Sequence, residues 1–335
     1  MKILVTGGTG FIGRHIVWRL ASQGCEVLFS GRNAAAAADV IRHSPGAAQW
    51  LALEHGSATA ANALIEATRG CAAIVHCAAL SAPWGTAEAF AQANLVATDE
   101  VLEACRVNQV KRLVHLSTPS LYFAFQDRID IHESEPLPVP VNEYARTKGL
   151  AEMKIQAAGL AEAVILRPRA VFGPWDATLL PRLLRVMQRG HIPLMRGGRA
   201  QLDLTCVDNL VHAVELSLNQ ALPRPVCTYN VSNGTPLAVQ DLLHCIAERF
   251  QLTLRTRRLP WRLVDAMALA LETSARLRHS GEPLLTRYGA GVLAFSQTLN
   301  LDAIRNELGY RTVITQEQGI DQHAQWWLAQ QGLKQ

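Results

Sequence analysis

Up to about residue 170 the chain alternates short apolar runs with longer stretches whose apolar positions recur at helical spacing. Strands are predicted over residues 2–6, 26–30, 49–53, 73–77, 112–117 and 163–166. Several are apolar throughout, as strands covered on both faces read. Helices are predicted between them over residues 12–22, 62–68 and 88–107, with 34–38 opening another. This alternation implies an α/β fold, a doubly wound parallel sheet whose right-handed crossovers set helices on both faces. After Val171 the rhythm breaks at Gly173-Pro174, Pro181, Gly190, Pro193 and Gly197-Gly198. A helix over 207–218 and a strand over 228–231 read as a return to the sheet, and 237–330 as mostly helical. The expected division is a nucleotide-binding domain over 1–172, with 203–235 returning to it, and a smaller, mostly helical substrate domain from 173–202 and 236–331.

Composition narrows the class. With 335 residues, 49% hydrophobic and 18% charged, the chain has material for a sizeable core, which excludes global disorder. A net charge of +4, from 32 basic and 28 acidic residues, requires no polyanionic partner, and aromatic residues at 6% supply no base-stacking surface for nucleic acid. Seven cysteines form no Cys-x-x-Cys pair and read as buried thiols of a reducing compartment. No secretory leader can be drawn at Met1–Thr6 and no apolar run reaches eighteen residues, so a cytoplasmic protein without a membrane span is expected. The eleven histidines lie scattered without zinc spacing, so no metal is expected, and His76 and His115 read as interior residues.

The chemistry begins at Thr6-Gly7-Gly8-Thr9-Gly10-Phe11-Ile12-Gly13, between the first strand and the first helix. Glycines at 7, 10 and 13 permit a tight turn, close backbone approach and close helix–strand packing, and the helix N-terminus offers N–H groups to a pyrophosphate. The second strand ends at Ser30-Gly31-Arg32-Asn33, without the carboxylate that suits an unphosphorylated ribose. Arg32, aided by Arg14, suits a 2′-phosphate, so NADP is preferred and NAD is the alternative. Tyr144 and Lys148, four residues apart, share one helix face. An ammonium about 4 Å from a phenol is worth roughly 4 kcal/mol at an effective dielectric of 20, about three pH units on the phenol.

These motifs resemble the extended short-chain dehydrogenases/reductases, the NAD-dependent epimerase/dehydratase family, over nearly the whole chain. The resemblance implies a Rossmann-type fold and a catalytic set of Tyr144, Lys148, Thr118 (or its neighbour Ser117) and Asn94. In that set Tyr144 exchanges a proton with the substrate, Lys148 lowers the phenol and holds the ribose, Thr118 supports the developing alkoxide, and Asn94 positions a water or the lysine. Cys77-Ala78-Ala79 and Pro168 correspond to segments that border the cofactor. The aspartate that many members place after the third strand is missing from Glu54-His55-Gly56-Ser57-Ala58. A homodimer through the helices bearing Asn94 and Tyr144 is also implied.

Leu202 stands where nucleotide-sugar enzymes typically carry an arginine, although Arg196 and Arg199 lie nearby. The segments around Trp84 and around Tyr122-Phe123 resemble the 3β-hydroxysteroid dehydrogenase-like branch. Trp84, Tyr122 and Phe123 are therefore expected to line a pocket for a mainly apolar ketone or secondary alcohol. Nucleotide-sugar epimerase or dehydratase, and a non-catalytic NADP-sensing protein, are the competing readings. Residues 255–278 are basic and partly amphipathic. They read as an ordinary helix with a solvated edge, a lid and a peripheral membrane contact being the alternatives, and Asp265 and Glu272 argue against deep insertion.

Overall fold

The structure, a computed structural model, describes residues 1–177, 181, 183–184, 187, 190–278 and 281–332. Among these, seven strands form one parallel sheet: β1 (Lys2–Thr6), β2 (Glu26–Gly31), β3 (Ala48–Ala52), β4 (Ala73–His76), β5 (Arg112–Leu116), β6 (Glu162–Pro168) and β7 (Val226–Val231). Their spatial order is β7-β6-β5-β4-β1-β2-β3. The order reverses between β1 and β4, where the carboxyl ends of the strands open the crevice typical of such sheets. The alternation along β1 divides the core. Ile3 and Val5 pack with Ile16, Val17 and Val214 on one face, while Leu4 joins Leu64, Val101 and Ile155 on the other.

The flanking helices are α1 (Phe11–Ser22), α2 (Ala34–Arg42), α3 (Ala60–Ala67), α4 (Ala87–Ala91), α5 (Ala97–Asn108), α6 (Glu143–Ala157) and α7 (Val207–Asn219). The single helix expected over 88–107 is α4 and α5 joined by a π-turn, Gln92–Val96. Such a turn inserts one extra residue per turn and re-aims its side chains; here it carries Asn94. The end of β6 was underestimated from sequence, because Arg167 and Pro168 continue in register with Asn230 and Val231.

Beyond β7 lie α8 (Val239–Arg249), α9 (Trp261–Leu277), α10 (Arg287–Ala294), α11 (Asp302–Leu308) and α12 (Gln316–Gly332). A second core, with Phe172, Leu194, Leu202, Leu243, Ile246, Phe250 and Ile320, fills this part of the molecule. The sequence pattern does not predict the short strand Arg128–Ile131, which pairs with Gln297–Leu299 in a second sheet. Its Arg-Ile-Asp-Ile run is too short and polar to announce itself. No helix among the described residues is long and apolar enough to cross a membrane.

Candidate active site

Gly10 precedes α1 without a side-chain cap, and the helix has no acidic residue in its first turn. Its leading N–H groups therefore face the crevice free of competing anions. A Cβ at Gly13 would lie 2.2 Å from the Gly7 carbonyl oxygen, and one at Gly7, where φ is +66°, would lie 2.8 Å from Ala78 N. Thr6 Oγ1 accepts from the N–H groups of Cys77 and Ala78, each at 3.2 Å, and pairs with His76 Nδ1 at 2.7 Å. This bond ties the ends of β1 and β4 together and sets Cys77-Ala78-Ala79 along the cradle. Burial pushes the Cys77 thiol up to about 12, so it presents a neutral wall. The bare, closely packed backbone fits a dinucleotide pyrophosphate.

The groups beyond β2 are not equivalent. Arg32 is exposed, with Glu54 as a loose partner at 3.9 Å. Arg14 is buried; it reaches Asp39 at 3.2 Å and the Thr9 carbonyl at 3.1 Å, and it stacks 4.3 Å from the Trp175 ring. Asn33 spends its side chain on α2, accepting from Ala36 N at 3.0 Å. The loop after β3, where the family aspartate is missing, is pinned from α5. Glu100 engages His55 Nδ1 at 2.6 Å and Gly56 N at 2.8 Å. Glu100 escaped sequence reasoning because a lone acid in an amphipathic helix carries no motif.

Tyr144 stands in the first turn of α6, which Asn142 caps by accepting from Ala145 N at 2.8 Å. Its phenol lies within the influence of the side chains of Ser81 and Thr118, which favour its ionised form against burial. Thr118 Oγ1 donates to Ser120 Oγ at 3.0 Å, and Ser120 Oγ lies 2.6 Å from Tyr288 OH. A hydroxyl chain thus runs from the loop after β5 to α10. Tyr288 lies 144 positions from Tyr144, and only the fold brings them together.

The expected depression of the phenol by Lys148 is not found. Burial raises the Tyr144 phenol, and the groups that oppose this are Ser81 and Thr118. The physical reason is where the lysine points. Lys148 Nζ donates to the Leu116 carbonyl at 2.6 Å and to His115 Nε2 at 2.9 Å, beneath the site on β5. Burial brings this ammonium down to about 8, with Glu152 acting against the fall. His115 and its ring neighbour His76, 5.1 Å away, are held neutral by burial. His115 is interior as expected, yet it is also the partner of the candidate lysine. Asn94 does not reach that lysine either. It clamps Leu80, accepting from its N–H at 2.8 Å and donating to its carbonyl at 3.3 Å, and donates to Thr147 Oγ1 at 3.0 Å. It thereby fixes the backbone beside Ser81.

Two further expectations are corrected. Ser117 turns inward and donates to Glu152, whose carboxylate is gripped by Arg167 through Nε at 2.9 Å and through Nη2. Thr118 alone of the pair faces Tyr144. Tyr122 is fully buried; its hydroxyl donates to Asn230 Oδ1 at 2.9 Å and accepts from Arg167, so it belongs to the interior and not to a substrate pocket. Phe123 is buried edge-on to Tyr288 at 5.2 Å and to Phe125 at 5.3 Å, backing the site. Trp84 is half-buried beneath Arg276, 5.4 Å from its ring. Pro168 is buried at the end of β6. The neighbouring Arg169 is buried within the field of Tyr288 and Asp203. Leu202 is buried in the second core, and Arg196 is committed to Asp127 through two 2.7 Å contacts.

Comparison with known proteins shows the family and the fold. The NAD dependent epimerase/dehydratase family matches residues 3–232. The chain is 33% identical to the Escherichia coli protein YbjS over 97% of each chain. It is 31% identical to a 2-alkyl-3-oxoalkanoate reductase of Stenotrophomonas maltophilia, covering 96% of this chain and 97% of that one. The UDP-glucose 4-epimerase of Thermotoga maritima shares the fold, with a TM-score of 0.77 at 18% identity, over 99% of this chain and 100% of that one. The chain belongs to the NAD dependent epimerase/dehydratase family, with relatives in the 3β-hydroxysteroid dehydrogenase-like branch, and is an NAD(P)-dependent oxidoreductase of the extended short-chain type.

Proposed function

We propose that the protein interconverts a ketone and a secondary alcohol on a mainly apolar substrate, a β-keto acid being the favoured class and a steroid-like ketone the next. The observation that carries this reading is the Tyr144 phenol set among the Thr118 and Ser81 hydroxyls, in a chain whose glycine turn packs its bare backbone on Ala78. In ketone reduction Tyr144 gives its proton to the carbonyl oxygen as that oxygen becomes an alcohol. Its raised affinity for the proton keeps it in the donor form at neutral pH. Thr118 and Ser81 flank the phenol, and Thr118 would offer its hydroxyl to the developing alkoxide by turning it away from Ser120. Lys148, charged at neutral pH, would hold the ribose of a bound coenzyme by turning its ammonium out from His115 and the Leu116 carbonyl, and the nicotinamide would supply the hydride.

NADP is the preferred coenzyme in this reading, with NAD the alternative. Arg32, exposed and only loosely paired with Glu54, is the cation for a 2′-phosphate, and Arg14 stiffens the turn behind it. Trp84 and Tyr288, the latter backed by the buried Phe123, supply aromatic surface for an apolar chain, and Arg169 supplies a cation for a carboxylate. The name of the Stenotrophomonas relative accords with such a substrate. Nucleotide-sugar epimerisation is the second reading. It rests on fold similarity, and the burial of Leu202 and the Asp127 partner of Arg196 weigh against a diphosphate site. A homodimer through α5 and α6 accompanies the proposal and is measured by light scattering. The functional test follows NADPH absorbance against a panel of β-keto acids, steroids, aldehydes and nucleotide sugars. Turnover confined to apolar ketones supports the reading; turnover confined to nucleotide sugars replaces it.

A further inference from the structure

Helix α9 turns an apolar face outward. Leu263, Met267 and Leu271 follow at four-residue spacing, with Ala266, Ala270 and Leu277 beside them on the same side of the helix. Leu263 and Met267 are each 49% exposed, Leu277 is 77% exposed, and Leu284, just beyond the helix, is 93% exposed. A solvated helix edge would carry polar side chains here. The adjoining side packs inward through Val264, Ala268 and Ala275.

The acids that argued against membrane contact are not on this face. Asp265 takes both ends of the Arg287 guanidinium at 2.7 and 3.0 Å, and Glu272 accepts the Arg287 N–H at 2.7 Å. Both are therefore directed to α10 and not to solvent. The cations, by contrast, surround the apolar strip: Arg255, Arg257, Arg258, Arg262, Arg276 and Arg278 are all exposed. Over residues 255–287, seven arginines against Asp265, Glu272 and Glu282 leave four positive charges, equal to the +4 of the whole chain. Arg257 and Met267 line one open crevice of about 260 Å³ with His191, Pro193 and Leu285, so charged edge and apolar face adjoin.

We propose that this face is a docking surface for an anionic lipid bilayer, with α9 lying in the plane of the headgroups, its leucines in the acyl boundary and its arginines on lipid phosphates. An apolar strip rimmed by unneutralised arginines is complementary to such a surface in both charge and polarity. A second copy of the chain would bring the same arginines against one another. The face also continues toward the catalytic crevice. Trp261 at the start of α9 packs 5.9 Å from Phe125, which packs on Phe123 and so reaches Tyr288, and Arg276 covers Trp84. Resting on the apolar-substrate reading for its purpose, the docked orientation sets the mouth of the site against the lipid that would hold such a substrate.

The test needs neither coenzyme nor substrate, so it stands or fails apart from that reading. The full chain is floated with vesicles of equimolar phosphatidylglycerol and phosphatidylcholine, and with phosphatidylcholine alone, at low and at high salt. The expected result is recovery with the anionic vesicles at low salt and release at high salt. Leu263→Glu combined with Leu277→Glu lowers partitioning at least ~tenfold. Arg258→Gln and Arg262→Gln each lower it about fivefold without touching the apolar strip, which keeps a control if the leucine variant unfolds. Protein that stays unfloated with anionic vesicles, or floats equally with phosphatidylcholine alone, overturns the proposal. A solution mass that halves in the leucine variant assigns the face to a second copy and also overturns it.

Discussion

A buried ammonium that donates to a neutral imidazole and a main-chain carbonyl titrates earlier than a free lysine. Lys148 stands near 8, so its charge is intact at neutral pH and is lost as pH rises through that value. Coenzyme affinity is therefore expected to hold below about pH 8 and to weaken above it. In Lys148→Arg, where the guanidinium stays charged, this break disappears. Fluorescence titration with NADPH across pH checks it, and a flat profile in the parent protein contradicts the role given to Lys148. The neighbouring hydroxyls separate by where they point. Thr118→Ala removes the hydroxyl nearest in role to the reacting phenol and is expected to lower kcat about 10- to 100-fold. Ser117→Ala leaves kcat within a few-fold, because Ser117 serves the buried Glu152. Steady-state kinetics of the two variants side by side reverses the assignment if Ser117→Ala is the damaging change.

At the scale of elements, the first turn and α6 are the parts most open to sequence reasoning. Glycine spacing and a Tyr/Lys pair are local patterns, and local geometry is what they fix. Gly13→Ala drives a methyl to 2.2 Å from the Gly7 carbonyl, so the turn must open. Coenzyme binding is expected to be lost while the far side of the sheet stays folded, which calorimetry with NADPH measures. The π-turn at Gln92–Val96 was not legible, because its residues suit an ordinary helix and the extra residue is imposed by the packing of Asn94 on Leu80 and Thr147. The directions in which Tyr122 and Ser117 point are not legible in the sequence for a related reason. Their loop follows the strand that the motif predicts, but which side chain faces the crevice depends on the Arg167–Glu152 pair arriving from β6 and α6. Arg167→Met strands the Glu152 charge in the interior and is expected to cost about 3–5 kcal/mol of stability. A urea midpoint unchanged from the parent would contradict that assignment.

The whole molecule joins a sheet legible almost strand by strand to a C-terminal part whose helical character is legible but whose contacts with the site are not. Buried parallel strands declare themselves by unbroken apolar runs, whereas the short polar strand Arg128–Ile131 and the contact of Tyr288 with Ser120 exist only through pairing across more than 160 residues. The coenzyme side of the crevice is therefore written locally, and the substrate side is assembled by topology. The central claim lies where the two meet, at the Tyr144 phenol. Its most direct test is single-turnover oxidation of bound NADPH by the best ketone of the panel, in the parent protein and in Tyr144→Phe, with NADPH affinity measured in both. The account predicts a fall in the hydride-transfer rate of about 10²–10⁴-fold with NADPH affinity kept within a few-fold. A Tyr144→Phe protein that turns over at the parent rate would contradict it.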